Sequence, residues 1–441
     1  MPRYLKKNNI KKIALLVLAL VVLVGIIAML PPVRDRITTH LNNLKAQIYF
    51  ALYPPEKVSF IPQDEVARVV QMTIQALTPT PSAIGSASST NAPEIPEVTT
   101  APKVAPTPLP ASVNIKGIRY MDQHFGFNEC APTNLAMALS FWGWPGKAQD
   151  TSQYLKPYPQ DKNVMPYEMV SYVQDKTDLA ALVRWGGTAQ LVKSLLAAGY
   201  PVVVEQGVTL PDMSTGKPSW MGHYLVVSGY DDAKKIFIVQ DSYLPGGNNY
   251  HLSYDQMIGD WRSFDYVFLI VYPKDKQNDL FAALGNYADE ASSDRIAGAI
   301  ASNEISTFSG VNLFYAWYNR GTNLVQLQDY KGAAAAYDEA FTVYATLPQD
   351  NTRPYRMTWY QTGPYYAYYF TGRYQDVLNL ANTTIKTTTQ PYLEESYYWR
   401  AKAEVALGDH QAAAGDLQTS LKYHPGFSPS LDLMNQLGIK N

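Results

Sequence analysis

The sequence predicts an α+β domain, tethered by an N-terminal transmembrane helix and followed by an all-α repeat domain. Three observations predict it. A basic tail precedes a long uncharged apolar run. Helical patterns over 131–142, 166–176 and 188–198 give way to strand-like runs joined by turn residues, the order of an α+β fold around an antiparallel sheet. From 280 onward the chain is rich in Ala and Tyr and repeats itself.

The 441 residues suggest two or three domains, and 46% hydrophobic against 17% charged residues is a globular composition. Net charge is −2 with no basic stripe, which argues against a nucleic-acid partner. The single cysteine, Cys130, excludes an intramolecular disulfide and a cysteine-based zinc cluster. No HExxH or comparable ligand spacing occurs, so neither a metal nor a cofactor is expected.

In chain order, residues 1–12 form a basic tail with Arg3, Lys6, Lys7, Lys11 and Lys12. The uncharged run from Ile13 to Leu30 would rise about 27 Å as a helix, close to the hydrocarbon thickness, and Pro31 and Pro32 close it. Residues 13–33 therefore read as a signal anchor. The basic excess before the run keeps the N-terminus cytoplasmic and puts the rest outside the cell membrane. A cleaved signal peptide competes with this reading, but no small-x-small site follows. Residues 34–76 read as a helical membrane-proximal segment. Residues 77–112, rich in Pro, Ser, Thr and Ala, read as a linker unable to bury a core.

Residues 113–274 form the α+β unit, with strands in "PVVVEQG", "HYLVVSGY", "KIFIVQDS", "NNYHLS" and "YVFLIVYP". Within 280–441, "LQDYKGAAAAYDEAF", "TGRYQDVLNLANTTI" and "LGDHQAAAGDLQTSL" align. Gln328, Gly372 and Gly408 share one turn position; Tyr330, Tyr374 and His410 follow two later, and Ala333, Val377 and Ala413 five later. This spacing resembles the tetratricopeptide helix-turn-helix repeat. The longer first step implies an insertion at "LPQDNTRPYRM".

A lone cysteine is ordinarily a small apolar core residue. Cys130 differs in its surroundings. Pro132 suits a first helical turn, so Cys130 falls at a helix N-terminus, where the dipole favours a thiolate. Gln123, in a loop seven residues upstream, can join the Cys130 backbone N–H in binding an oxyanion. Downstream, a three-residue loop Asp231–Ala233 would pair Tyr230 with Lys234 and, further down the hairpin, His223 with Asp241. That sets an orienting carboxylate beside an imidazole. His124 reads as solvent-facing, His251 as a strand-surface residue, and Asp231 and Asp232 as turn formers.

"DQHFGFNECAPTNLAMALSFWGW", "GHYLVVSGYDD", "VQDSY" and "YHLSYDQMIGDW" resemble the papain-clan cysteine peptidases of the bacteriocin-processing, double-glycine type, in their stand-alone bacterial form. The resemblance covers about 115–273. It implies a papain-like fold with Cys130 as nucleophile, His223 as general base, Asp241 as orienter and Gln123 as oxyanion donor. Ala131 stands where that family usually has glycine, which would narrow substrate access. No GxxxxGK[ST] phosphate loop is present, so the family's transport ATPase is not implied. The expected function is a membrane-anchored extracytoplasmic peptidase acting on a peptide or protein substrate, its repeats binding a substrate or protein partner. An inactive papain-like scaffold module is one alternative. A transamidase or cell-wall amidase using the same thiol is the other.

Overall fold

The computed structural model describes residues 12, 15–20, 31–63, 108–212 and 215–439. The anchor expected over 13–33 lies largely outside these, as do 64–76 of the membrane-proximal segment and 77–107 of the linker. Among the described residues, no helix is long and apolar enough to cross a membrane. Residues 15–20 are helical, with Leu15, Leu16, Val17, Leu18 and Leu20 exposed. The first long described helix, α1, is Pro31–Leu52.

The sheet comprises β1 (Ser112–Asn114), β2 (Leu179–Arg184), β3 (Val202–Pro211), β4 (Pro218–Asp231), β5 (Ile236–Gln240), β6 (Tyr250–Ser253) and β7 (Phe268–Pro273). Its order is β2-β7-β3-β4-β5-β6, with β1 added on β4, and every pairing is antiparallel. Helices α2 (Cys130–Phe141), α3 (Ala148–Leu155) and α4 (Pro166–Lys176) accompany one face. There Leu135, Leu139, Met169 and Val173 pack on Val203, Val226 and Leu269. On the other face, α5 (Ala189–Ala197) brings Val192, Leu195 and Leu196 onto Val202, Val204, Leu225 and Val227. Burial on both faces explains why the strands read as continuous apolar runs rather than alternating ones. Four elements of the α+β unit escaped the sequence reading: β1, β2, α3, and α6 (Tyr254–Trp261).

The C-terminal region is helical. After α7 (Gln277–Leu284) and α8 (Glu290–Thr307) come α9 (Gly310–Gln326), α10 (Tyr330–Thr346), the short α11 (Met357–Tyr360), α12 (Gly363–Phe370), α13 (Tyr374–Lys386), α14 (Glu394–Ala406), α15 (His410–Tyr423) and α16 (Ser428–Gln436). Three αα-hairpins, α9/α10, α12/α13 and α14/α15, turn at the aligned positions. Gln328, Gly372 and Gly408 have φ of 61°, 79° and 88°, the left-handed geometry that ends a helix. Asp329 and Asp409 then cap the second helices through Gly332 N–H and Ala412 N–H. Ala333, Val377 and Ala413 are fully buried.

This region is not separate from the sheet. Trp220 at the start of β4, together with Phe264 and Val267, shares one core with Phe314, Tyr318, Tyr337 and Tyr365 of the helices. Phe60, downstream of α1, enters the same core, its ring 4.8 Å from Phe341. The insertion "LPQDNTRPYRM" does more than space two hairpins. Tyr355 Oη lies 2.9 Å from Ser219 Oγ, and Arg356 pairs with Asp212 at 2.7 Å.

The β4/β5 hairpin differs from the expected register. Its loop has four residues, Asp232–Lys235, because Asp231 pairs with Ile236, and Lys235 adopts φ 54°. Tyr230 pairs with Phe237 rather than with Lys234. The register then shifts between Val227 and Gly229, leaving Val227 opposite Val239 and Val226 opposite Gln240. One step further, Asp241 falls opposite Leu225, not His223. The irregularity at Ser228 nevertheless decides the site. Without it Asp241 would face Val226, on the opposite side of the strand from His223. With it Asp241 stands diagonally from His223 on the same side, within reach of a two-residue offset.

Candidate active site

Cys130 is the first residue of α2, after Glu129 at the N-cap, and is partly exposed. A buried ion pair fixes the loop before it. Lys156 Nζ donates to Glu129 Oε1 at 2.9 Å and to the Phe127 carbonyl, with both ionic side chains almost wholly shielded. Asn128, at φ 56°, donates through Nδ2 to the Asp161 carbonyl at 2.9 Å. The two residues before Glu129 are thus tied to the Lys156 side chain and the Asp161 backbone. Ala131 is buried in the α2 core cluster and lines the cleft beside Cys130.

His223 lies in the middle of β4, its Nε2 2.9 Å from Asp241 Oδ1. The same Oδ1 accepts the Tyr243 and Leu244 N–H groups at 2.9 and 3.2 Å. Three donors on one oxygen fix the carboxylate. Its pKa is lowered, because the His223 charge and these hydrogen bonds outweigh burial. The Cys130 thiol lines the same cleft as the imidazole and interacts with it. Burial disfavours an imidazolium, but the Asp241 charge and hydrogen bond, with Cys130, push His223 up to about 10. The arrangement therefore favours a protonated imidazole beside the Asp241 carboxylate.

Gln123 is buried, and its backbone N–H donates to the Ser242 carbonyl at 3.1 Å. Asn134 Nδ2 donates to Ser242 Oγ at 3.0 Å, and Ser242 Oγ–H in turn donates to Gln123 Oε1 at 2.6 Å. Asn134 Nδ2 also donates to the carbonyls of Cys130 (2.9 Å) and Tyr224 (2.8 Å). With Oε1 engaged, the Gln123 amide has its Nε2 left for the cleft that Gln123 and Cys130 both line.

Sequence reasoning missed Ser242 and Asn134. Only their polarity inside apolar runs, within "QDSY" and "PTNLAM", signals them. It also missed Glu205, which lines the cleft from β3 opposite Tyr224. Burial raises the Glu205 carboxyl well above its usual range.

The cleft encloses, with its open mouth, about 1240 Å³. One wall comes from the insertion region, with Arg356, Trp359 and Tyr360. A second comes from α1, with Thr39, Asn43, Ala46 and Phe50. Gly222, next to His223, makes the first wall possible: a Cβ there would stand 2.8 Å from Phe264 and 3.2 Å from Tyr360. His124 is half-exposed and binds Asp122 at 2.9 Å, and His251 is exposed. Asp231 pairs with Lys234 at 2.8 Å, and Asp232 accepts from Lys193 and from Tyr254 Oη. All four lie outside the Cys130–His223–Asp241 arrangement.

Residues 114–268 match the family model of the Peptidase_C39 like family. The match supports a papain-like cysteine peptidase domain in this part of the chain. A crystal structure of a C39-like peptidase from Bacillus anthracis is similar at 15% identity, covering 37% of this chain and 98% of that one, with a TM-score of 0.30. No curated protein matches.

Proposed function

We propose that the protein is a membrane-anchored extracytoplasmic cysteine peptidase using Cys130, His223, Asp241 and Gln123. The observation that carries this reading is His223, held by Asp241 Oδ1, sharing with Cys130 the lining of one open cleft. The Cys130 thiolate attacks the amide carbonyl. Gln123 Nε2 and the Cys130 backbone N–H stabilise the oxyanion. Protonated His223 delivers its proton to the departing amine, then takes one from the water that resolves the thioester. Asp241 holds the imidazole by Nε2 throughout and offsets its charge. Ser242 and Asn134 act one step back, by orienting the Gln123 amide.

The apolar run at 13–30 is the anchor in this reading, with the N-terminus cytoplasmic. The three αα-hairpins are tetratricopeptide-like repeats that bind the substrate or a protein partner. The test combines two measurements on intact cells: labelling by a thiol-directed activity probe, and comparison of released peptides between the native chain and Cys130→Ser. Labelling lost in the variant, with peptides that disappear alongside it, supports the peptidase. A native chain that neither labels nor changes the peptide pool defeats it in favour of a scaffold. Incorporation of an added amine in place of hydrolysis would instead mark a transamidase.

A further inference from the structure

Away from the cleft, four carboxyl groups and one imidazole converge where the α+β domain meets the helical region. Asp161 and Glu168 come from the first, Glu394, Glu395 and His424 from the second. His424 Nδ1 lies 3.0 Å from Glu394 Oε1, 3.8 Å from Glu168 Oε1 and 3.9 Å from Asp161 Oδ2. The ligand atoms of Asp161, Glu394 and His424 all lie within 4.8 Å of one another. Two donors on one divalent metal at about 2.1 Å stand roughly 3–4 Å apart, so the spacing suits a shared ion.

The second observation is what these groups lack. Asp161 and Glu394 are each 1% exposed, yet Asp161 Oδ2 and Glu394 Oε2 have no hydrogen-bond partner among the described residues. Glu395 Oε1, also buried, has none. No lysine or arginine forms an ion pair with any of the four carboxyls among the described residues; the nearby Lys156 is bound to Glu129. Glu394 and Glu395 stand in the first turn of α14, whose dipole offsets only part of one charge. Buried carboxylates without cations are costly unless they hold a metal or stay protonated.

We propose that Asp161, Glu394 and His424 bind one divalent transition-metal cation of the Zn²⁺ or Mn²⁺ kind, clamping the helical region onto the α+β domain. An imidazole among carboxylates favours these ions over Ca²⁺. The ion takes the place of the proton on His424 Nδ1. The donors come from three separate places in the chain, which is why no ligand spacing shows in the sequence. The clamp holds the 160–164 segment and the 388–390 segment, both of which line the cleft. The proposal is independent of the chemistry assigned to Cys130.

The test uses the full chain in detergent, stripped with EDTA and exchanged into metal-free buffer. Zn²⁺ and Mn²⁺ are titrated separately by calorimetry, and Co²⁺ is added as an optical probe. Expected are one saturable site for Zn²⁺ or Mn²⁺, a ligand-field spectrum with Co²⁺, and an unfolding midpoint raised by about 5 °C at saturation. His424→Ala and the near-isosteric Asp161→Asn should each weaken binding at least tenfold, while His251→Ala, at an exposed imidazole, should not. Absence of a saturable site, binding of Ca²⁺ alone, or wild-type affinity in Asp161→Asn would overturn the proposal. If His424→Ala does not fold, Asp161→Asn decides alone.

Discussion

The His223–Asp241 pair makes the sharpest demand on the proposed chemistry. In Asp241→Asn the side-chain oxygen can still accept from His223 Nε2, Tyr243 N–H and Leu244 N–H, all of which converge on Oδ1. The geometry should survive and the charge should not. A hydrogen bond to a charged partner contributes about 1.5–3 kcal/mol and a neutral one about 0.5–1.5, so the loss is about 1–2 kcal/mol. That is roughly 5- to 30-fold in rate. His223→Ala removes the proton donor and the partner of the thiolate together and should cost about 10²- to 10⁴-fold. The double variant should be hardly worse than His223→Ala, since groups acting as one unit are non-additive. The assay needs no known substrate: the second-order rate of Cys130 alkylation at pH 6 reads the ion pair, and hydrolysis of a general peptide library reads turnover. Additive losses across the cycle, or wild-type alkylation in His223→Ala, would refute the assignment.

Cys130→Ser should fold like the parent, by circular dichroism and unfolding midpoint, and lose all probe labelling; residual labelling would place the reactive group elsewhere. The raised value of His223, about 10 against an ordinary 6.5, means its imidazolium stabilises the fold fully below 6.5 and that this contribution is lost as pH rises through 10. The drop in unfolding midpoint between pH 6 and pH 10 should therefore shrink in Asp241→Asn, and an unchanged drop would count against the ion pair. Arg356→Ala removes the 2.7 Å ion-pair partner of the largely shielded Asp212 carboxylate and should cost about 3 kcal/mol in a urea titration followed by tryptophan fluorescence. A change under about 1 kcal/mol would show the cleft wall to be held by its aromatic packing instead. Protease added outside intact cells should cut the 77–112 linker and release the 113–441 region; full protection until the membrane is breached would reverse the topology.

The sequence by itself determined what depends on neighbours along the chain. Pro132 and the preceding turn place Cys130 at a helix start, and α2 begins there. The three aligned turn positions, Gln328, Gly372 and Gly408, all end helices in left-handed geometry, because a helix stop is a local property of one backbone position. Apolar runs located five of the seven strands, but "LAALVR" was passed over, since a short apolar run carries no sign of whether a strand waits to pair with it. Tertiary structure decided the rest. The hairpin count put His223 directly opposite Asp241. The fold used a longer loop and a compensating irregularity at Ser228, and the side chains meet on the diagonal instead. A turn's length does not predict a bulge, because the bulge is selected by packing on both faces of the sheet. The orientation of Gln123 rests on Ser242 and Asn134, which lie 119 and 11 positions along the chain. The cleft walls come from α1 and from an insertion that in sequence is only a gap between repeats. The buried acidic cluster draws on residues 161, 168, 394 and 424. Each of these is a contact between distant segments, and its energy belongs to the packed arrangement rather than to any stretch of the chain.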